Sequence, residues 1–345
     1  MSPETPPPVK DWDVEHAEAQ ATEALQYLQT DPASLRFPWH GVDAIVGPIQ
    51  DHYLVLIGAD TGSGKTTVLM HLLHRWHLAG HRVCLLSLEF DPYLLRLYWA
   101  CLASGVDPRP IIRGQTTPDT LPPAHRAAIQ SQLVWQTGAG ASLVRFSVFG
   151  ALKAAELPGL FEEAKGSSVL LIDHLQAIDV GGLGNGYERY ARLCRHLKEL
   201  VREYRIPTIA AAQFHRDKTF DRLAPYLPPR ETAFYGGHIL LQQADVALGL
   251  YRPLRPGVTK GQMLELRAGL GNLREAITHD TVGVVCLKHR WDDQRGGRTF
   301  LRYRDGALTD EWDHESPPPV APDCPVAPGP SLPGGPGGDG DPTRT

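Results

Sequence analysis

Residues 53–73 read YLVLIGADTGSGKTTVLMHLL, and this stretch decides the fold. Tyr53–Ile57 are continuously apolar, the pattern of a strand buried on both faces. From Lys65 to Ala79 the apolar residues Val68, Leu72 and Trp76 recur at helical spacing, and Gly80 supplies a stop. Between them lies GADTGSGKT, residues 58–66. A glycine-rich turn that leaves a strand and opens a helix converges backbone N–H groups on one point, where the helix dipole also favours negative charge. This is how a chain holds phosphate. Gly62 and Gly64 permit the tight backbone, Lys65 reaches the β- and γ-phosphates, and the Thr66 hydroxyl is placed to ligate Mg²⁺. The nucleotide-binding set is therefore Ala59, Asp60, Thr61, Gly62, Ser63, Gly64, Lys65, Thr66 and Thr67, with ATP and Mg²⁺ as the expected ligands. The strict pattern G-x-x-x-x-G-K-[ST] has glycine where this chain has Ala59.

Outward from this turn, strands and helices alternate. RVCLLSL (82–88), a short strand at 143–146, SVLLI (168–172), PTIAAA (207–212) and DVALGL (245–250) read as strands. Helices are expected over 91–103, near 123–135, over 150–165 and over 187–204. In the last of these Tyr190, Leu193, Leu197, Leu200 and Tyr204 alternate at steps of three and four. Residues 262–266, 282–288 and 298–303 look like a closing antiparallel set. The fold class is α/β: a P-loop core with a mostly parallel sheet flanked by helices and antiparallel strands at the C-terminal end. The core spans 31–312. Residues 13–30 form an amphipathic linker helix with Val14, Ala17, Ala21, Leu25 and Leu28 on one face. Residues 1–12, rich in Pro, and 313–345, rich in Pro and Gly, cannot bury enough apolar surface to offset ordering, and read as disordered.

An ATPase also needs a carboxylate for Mg²⁺ and a group that activates water. VLLIDHLQ ends a buried strand on Asp173, and LLSLEF ends another on Glu89. Ligands of parallel sheets bind at the carboxyl ends of strands, which puts both acids beside the P-loop. Thr66 and Asp173 are thus the metal residues and Glu89 the water-activating base.

The bulk numbers narrow the partners. A net charge of −5 and a pI of about 6.3 do not suggest a broad basic nucleic-acid face, so any such contact is local. Five scattered cysteines form no C-x-x-C pair, the usage of a reducing cytosol. No run approaches membrane-spanning length and the first residues do not form a signal peptide. His71, His74 and His77 step by three on one helix, and a solvated or half-packed helix face accounts for them better than a metal site.

TGSGKTT, SLEF, IDHLQ and AAQFHR, in this order and spacing, resemble the C-terminal motor domain of DnaB-type ring helicases, which have a RecA-like core. The likeness runs from about Leu35 to Asp310, with lesser matches at IIRGQ (111–115) and LQQADVALGLYR (241–252). It accounts for Ala59, since such loops often carry alanine there. The resemblance implies that Glu89 is the catalytic glutamate, Asp173 the Mg²⁺-linked aspartate and Gln213 the sensor of the γ-phosphate. It implies that Lys288 and Arg290, in LKHR, reach the ATP of the next subunit. PPRET (228–232) is similar to a central loop that tracks DNA, through Arg230, Glu231 and Thr232, although Ala233 replaces the family's glycine. VGGLGNG (180–186) occupies the place of a second pore loop. The implied activity is 5′→3′ translocation on single-stranded DNA in replication by a homo-oligomeric, hexameric ring, with a primase or helicase loader as a further partner. Ahead of the core stand only a tail and one helix, so the chain resembles the motor without a helical collar or primase domain. A RecA-like recombination ATPase and a regulatory ATPase without nucleic acid are the alternative readings.

Overall fold

The structure, a computed structural model, describes residues 35–117, 119–137, 144–148, 152–181, 186–214, 228–234, 237–254, 278–291, 297–304 and 306–310. The expected linker helix 13–30, both terminal tails, the strand at 262–266 and residues 182–185 of VGGLGNG lie outside the described residues. In chain order the elements are α1 (His40–Val46), β1 (Leu54–Ala59), α2 (Lys65–Leu78), β2 (Val83–Ser87), α3 (Pro92–Ala103), α4 (Pro108–Ile112), α5 (Pro123–Thr137), β3 (Val144–Val148), β4 (Leu152–Lys153), α6 (Leu157–Glu163), β5 (Val169–Asp173), β6 (Ile178–Asp179), α7 (Gly186–Tyr204), β7 (Thr208–Gln213), α8 (Gly237–Gln243), β8 (Val246–Tyr251), β9 (Thr281–His289), β10 (Arg298–Arg304) and β11 (Ala307–Asp310).

Among the described residues, one nine-stranded sheet runs β11-β10-β9-β8-β1-β7-β5-β2-β3. The six strands from β8 to β3 are parallel, and β9, β10 and β11 continue the sheet antiparallel. The side-chain period of two divides β1 between two cores. Val55 and Ile57 face Val68, Leu72 and Trp76 of α2 and Leu95 and Trp99 of α3. Leu54 and Leu56 face Phe161 of α6, Leu193, Leu197 and Leu200 of α7 and Leu240 of α8. Burial on both faces is why these strands are apolar without alternation. The histidine steps on α2 are packed, not solvated. His71 meets Tyr303 edge-on at 5.6 Å, and His77 lies 5.3 Å from Trp99, which stacks on Trp135.

The single helix expected over 150–165 is instead the short strand β4, a turn and α6. Glu156 accepts the Lys153 backbone N–H at 2.7 Å, which fixes the turn, and Pro158 in the first turn of α6 sets the new helix start.

Two strand glycines shape the surface above this sheet. Gly58 of β1 and Gly249 of β8 are register partners. A Cβ on Gly58 would lie 2.2 Å from the Phe214 ring and 2.5 Å from that of Phe234. One on Gly249 would lie 2.4 Å from Pro229. The pair leaves a shallow seat in which residues 228–234 pack close to the backbone, and Phe234 bridges to Phe214 at the end of β7.

Candidate nucleotide site

The turn after β1 has the conformation its glycines predict. Gly62 and Gly64 take φ of 73° and 100°, and Gly64 caps α2 in the left-handed region. Ser63 donates its N–H to Asp60 O at 3.1 Å, closing the loop, while Ala59 is fully buried at its base. Thr61 and Gly62 are exposed at its rim. The Lys65 ammonium folds back over the loop and donates to Ala59 O at 3.2 Å and Asp60 O at 3.5 Å. Burial pushes its pKa below the usual lysine range, and the carboxylates of Asp173, Glu89 and Asp60 pull it partway back. Thr67 is half-buried in the first turn of α2.

Asp173 closes β5 and stands beside the first helical turn. Its Oδ2 accepts the Thr66 hydroxyl at 2.7 Å, and Oδ1 is buried without a hydrogen-bond partner. Burial raises its pKa, against the pull of the Thr66 bond. A hydroxyl and a carboxylate with an unused oxygen are the hard donors that Mg²⁺ takes, so the residues present fit that ion. Glu89 is held by the neighbouring strand: Ser87 pairs with Asp173, and Leu88 N–H donates to Asp173 O at 2.8 Å. Asp91 then caps α3 through Tyr93 and Leu94, and Pro92 begins the helix, which ends the loop just past Glu89. The Glu89 carboxylate is 58% exposed, open to the space above the strand ends, while its Oε2 lies 3.2 Å from His174 Nδ1.

Gln213 ends β7, between β1 and β5, and its side-chain amide donates to the Thr61 hydroxyl. Lys65, Thr66, Glu89, Asp173 and Gln213 therefore come together at one edge of the sheet. Two further residues of IDHLQ belong here, to which the motif alone assigns no role: His174 against Glu89, and Gln176, whose amide bonds the Gln213 backbone.

Lys288 and Arg290 are elsewhere. Antiparallel pairing puts His289 opposite Val246 at the start of β8, whereas the P-loop follows the level of Leu250. Four residues at about 3.3 Å each separate the two levels by roughly 13 Å, too far for either cation to reach its own P-loop. Lys288 donates to Leu241 O and Gln242 O, and Arg290 to Gln242 O at 2.9 Å, so both lie on the terminal carbonyls of α8. Arg290 Nε is also 3.5 Å from Asp245 Oδ1. Asp245, 1% exposed, accepts the Leu54 N–H at 2.8 Å and pairs with Lys198 of α7. Sequence reasoning missed both Asp245 and Lys198. A signal existed for Lys198, which falls four residues after buried Cys194 and three before buried Val201, on the inward face of α7.

Of the residues matched to a DNA loop, Arg230 and Thr232 are exposed and Glu231 is half-buried. Pro229, Ala233 and Phe234 beside them are buried in the seat above Gly249 and Gly58.

Residues 36–256 match the family model of the DnaB-like helicase C-terminal domain. No curated protein matches the chain. Among solved structures, an isolated ATPase domain superposes with a TM-score of 0.66 at 18% identity, covering 87% of this chain and 99% of that one. A DnaB-like replicative helicase, solved in a study of its interactions with primase, gives 0.63 at 17% identity, covering 87% and 67%.

Proposed function

The chain belongs to the DnaB-like helicase C-terminal domain family, a replicative helicase motor, and from that premise we propose how its residues divide the work. The observation that carries the proposal is the junction of Thr66 and Asp173, 2.7 Å apart with a carboxylate oxygen to spare, between the P-loop and Glu89. In this reading the loop N–H groups from Ala59 to Thr67 bind the phosphates of ATP. Lys65 leaves its carbonyl partners for the β- and γ-phosphates, whose charge restores an ammonium that burial disfavours. Thr66 and Asp173 would hold Mg²⁺, which would supply positive charge against the phosphates. Glu89 takes the proton of the attacking water. Its exposure on the open side of the site suits a base that must meet solvent, and its Oε2 lies beside His174. Gln213 spans from β7 to the loop and reports whether the γ-phosphate is present.

Lys288 and Arg290 serve the site of a neighbouring copy in a hexameric ring. Their distance from their own P-loop supports this, because a cation that cannot stabilise charge in its own site can do so in another. Arg230 and Thr232, exposed on a segment seated by buried neighbours, meet the backbone of single-stranded DNA, along which the ring moves 5′→3′. The test is the ATPase rate with and without single-stranded DNA, beside a mass measurement in solution. Stimulation by DNA in a ring-sized oligomer is expected. A monomer whose turnover ignores DNA would remove both the ring and the DNA contact.

A further inference from the structure

We propose that Gln176 is a positioning residue for ATP hydrolysis: its side-chain amide completes the end of β7 and thereby aims Gln213 at the phosphate loop. The inference rests on the reading of Gln213 as the γ-phosphate sensor.

The need for such a residue follows from the sheet. β5 and β7 pair only through Leu170–Thr208, Leu171–Ile209 and Ile172–Ala210. β5 then ends at Asp173 and the chain turns away into a 3₁₀ turn, Leu175–Ala177. β7 runs three residues further, to Gln213, paired with β1 on one side but, among the described residues, without a strand on the other. At Gln213 the missing neighbour is replaced by one side chain. Gln176 Nε2 donates to Gln213 O at 3.2 Å, and Gln176 Oε1 accepts the Gln213 N–H at 3.0 Å. A primary amide presents a donor and an acceptor side by side, so it reproduces both bonds of a sheet rung.

The amide is itself anchored. Leu175 beside it is fully buried, and the Tyr190 hydroxyl of α7 donates to Gln176 O at 3.3 Å. Beyond the clamp, the Gln213 side chain donates to Thr61 within the P-loop. A continuous path of hydrogen bonds thus leads from α7 through Gln176 and Gln213 to the loop. If the clamp merely satisfied a strand end, its loss would lower stability and leave the sensor's aim to β1. With β1 holding one side only, the backbone at Gln213 can tilt, and the amide swings at the end of that lever.

The experiment compares Gln213→Ala, Gln176→Ala, Gln176→Glu and the double alanine variant of the full chain. The readouts are kcat and KM for ATP with saturating single-stranded DNA, together with the urea midpoint. Gln213→Ala should lower kcat. Gln176→Ala should lower kcat about tenfold, the effect of two ordinary hydrogen bonds, with KM changed by less than about twofold. Gln176→Glu keeps the size but sets an oxygen against Gln213 O, so kcat should fall there as well; it carries the comparison should the alanine variant not fold. The double variant should be no slower than Gln213→Ala alone, because Gln176 acts only through Gln213. If Gln213→Ala is slow while both Gln176 variants keep more than about half of the wild-type kcat, the inference fails. Losses that multiply in the double variant would overturn it too. A normal kcat in Gln213→Ala would instead remove the sensor reading, and the inference with it.

Discussion

Gly249→Ala tests the link between the sheet and the proposed DNA segment without touching the P-loop. The added Cβ would lie 2.4 Å from Pro229 Cγ, 3.0 Å from Leu287 Cδ1 and 3.2 Å from Val285 Cγ1. Carbon atoms rest about 3.5–4.0 Å apart, so Pro229 must retreat by roughly 1 Å. Its ring has no flexible end to fold aside and is bonded to the backbone twice, so the retreat moves the segment itself. Leu287 and Val285, both buried on β9, offer little give on the other side. Overpacking of this kind costs about 1–3 kcal/mol. Arg230 is the next residue, so the same shift should withdraw it from the DNA backbone. The salt dependence of single-strand binding should then flatten by about 0.7 in log–log slope for each phosphate that Arg230 no longer neutralises. The assays are urea unfolding at fixed protein concentration and DNA titration at several salt concentrations. Pro229→Ala removes the clashing atom, so the double variant should recover most of the stability lost by Gly249→Ala. A Gly249→Ala protein within about 0.5 kcal/mol of wild type, or a destabilisation that Pro229→Ala does not relieve, would refute the packing argument.

Glu89→Gln should bind ATP and hydrolyse it poorly, whereas Lys65→Ala should lose nucleotide affinity as well. Single-turnover and binding measurements separate the two, and a Glu89→Gln enzyme with near-normal turnover would unseat Glu89 as the base. Arg290→Ala should assemble and bind nucleotide but barely turn over. Mixing it with Lys65→Ala subunits should restore part of the ATPase, because some interfaces then pair a sound P-loop with a sound cation; no recovery in rings shown to mix would argue against action in trans. The last concerns pH. Burial pushes the pKa of His71 from 6.5 down to about 3, so the folded protein refuses a proton that the unfolded chain accepts below pH 6.5. Its contribution is flat above that pH and falls below it by about 1.4 kcal/mol per pH unit, or roughly 2 kcal/mol by pH 5. His71→Met should flatten the fall between pH 6.5 and 5 by that amount in urea midpoints measured across the range, whatever it does at neutral pH.

The strand–turn–helix at 53–79 was legible because each piece is local. Apolar continuity marks β1, the two left-handed glycines mark the turn, and the inward residues of α2 follow its period. Glu89 and Asp173 were legible for the same reason, each being the first acid after an apolar strand. What stayed hidden depends on register between strands distant in sequence. Nothing in VLIGAD or VALGLY states that Gly58 and Gly249 sit side by side, and their role appears only when Phe214, Phe234 and Pro229 are brought over them. Gln176 was visible as a letter in IDHLQ but not as a clamp, since its partner lies 37 residues on. The helix expected over 150–165 failed on local grounds: Glu156 and Pro158 build a cap and a helix start inside a segment whose apolar spacing alone suggested continuity.

The two ends of β1 give the proposed ring its logic. At one end the strand runs into the P-loop. At the other, Leu54 exchanges hydrogen bonds with Asp245, giving its N–H to the carboxylate and accepting the Asp245 N–H, while Asp245 O receives the Arg290 N–H. The same carboxylate pairs with Lys198 from α7. The phosphate loop thus follows one end of β1 and the basic pair is tied through Asp245 to the other, so in the proposed reading each chain carries two unlike half-sites. A contact that joins the P-loop edge of one copy to the Arg290 edge of the next is heterologous: it leaves an unused half-site at each end of any open chain of copies. Only closure into a ring fills them all. Asp245, buried against Lys198 and the start of β1, is the group that ties Arg290 to the rest of the fold.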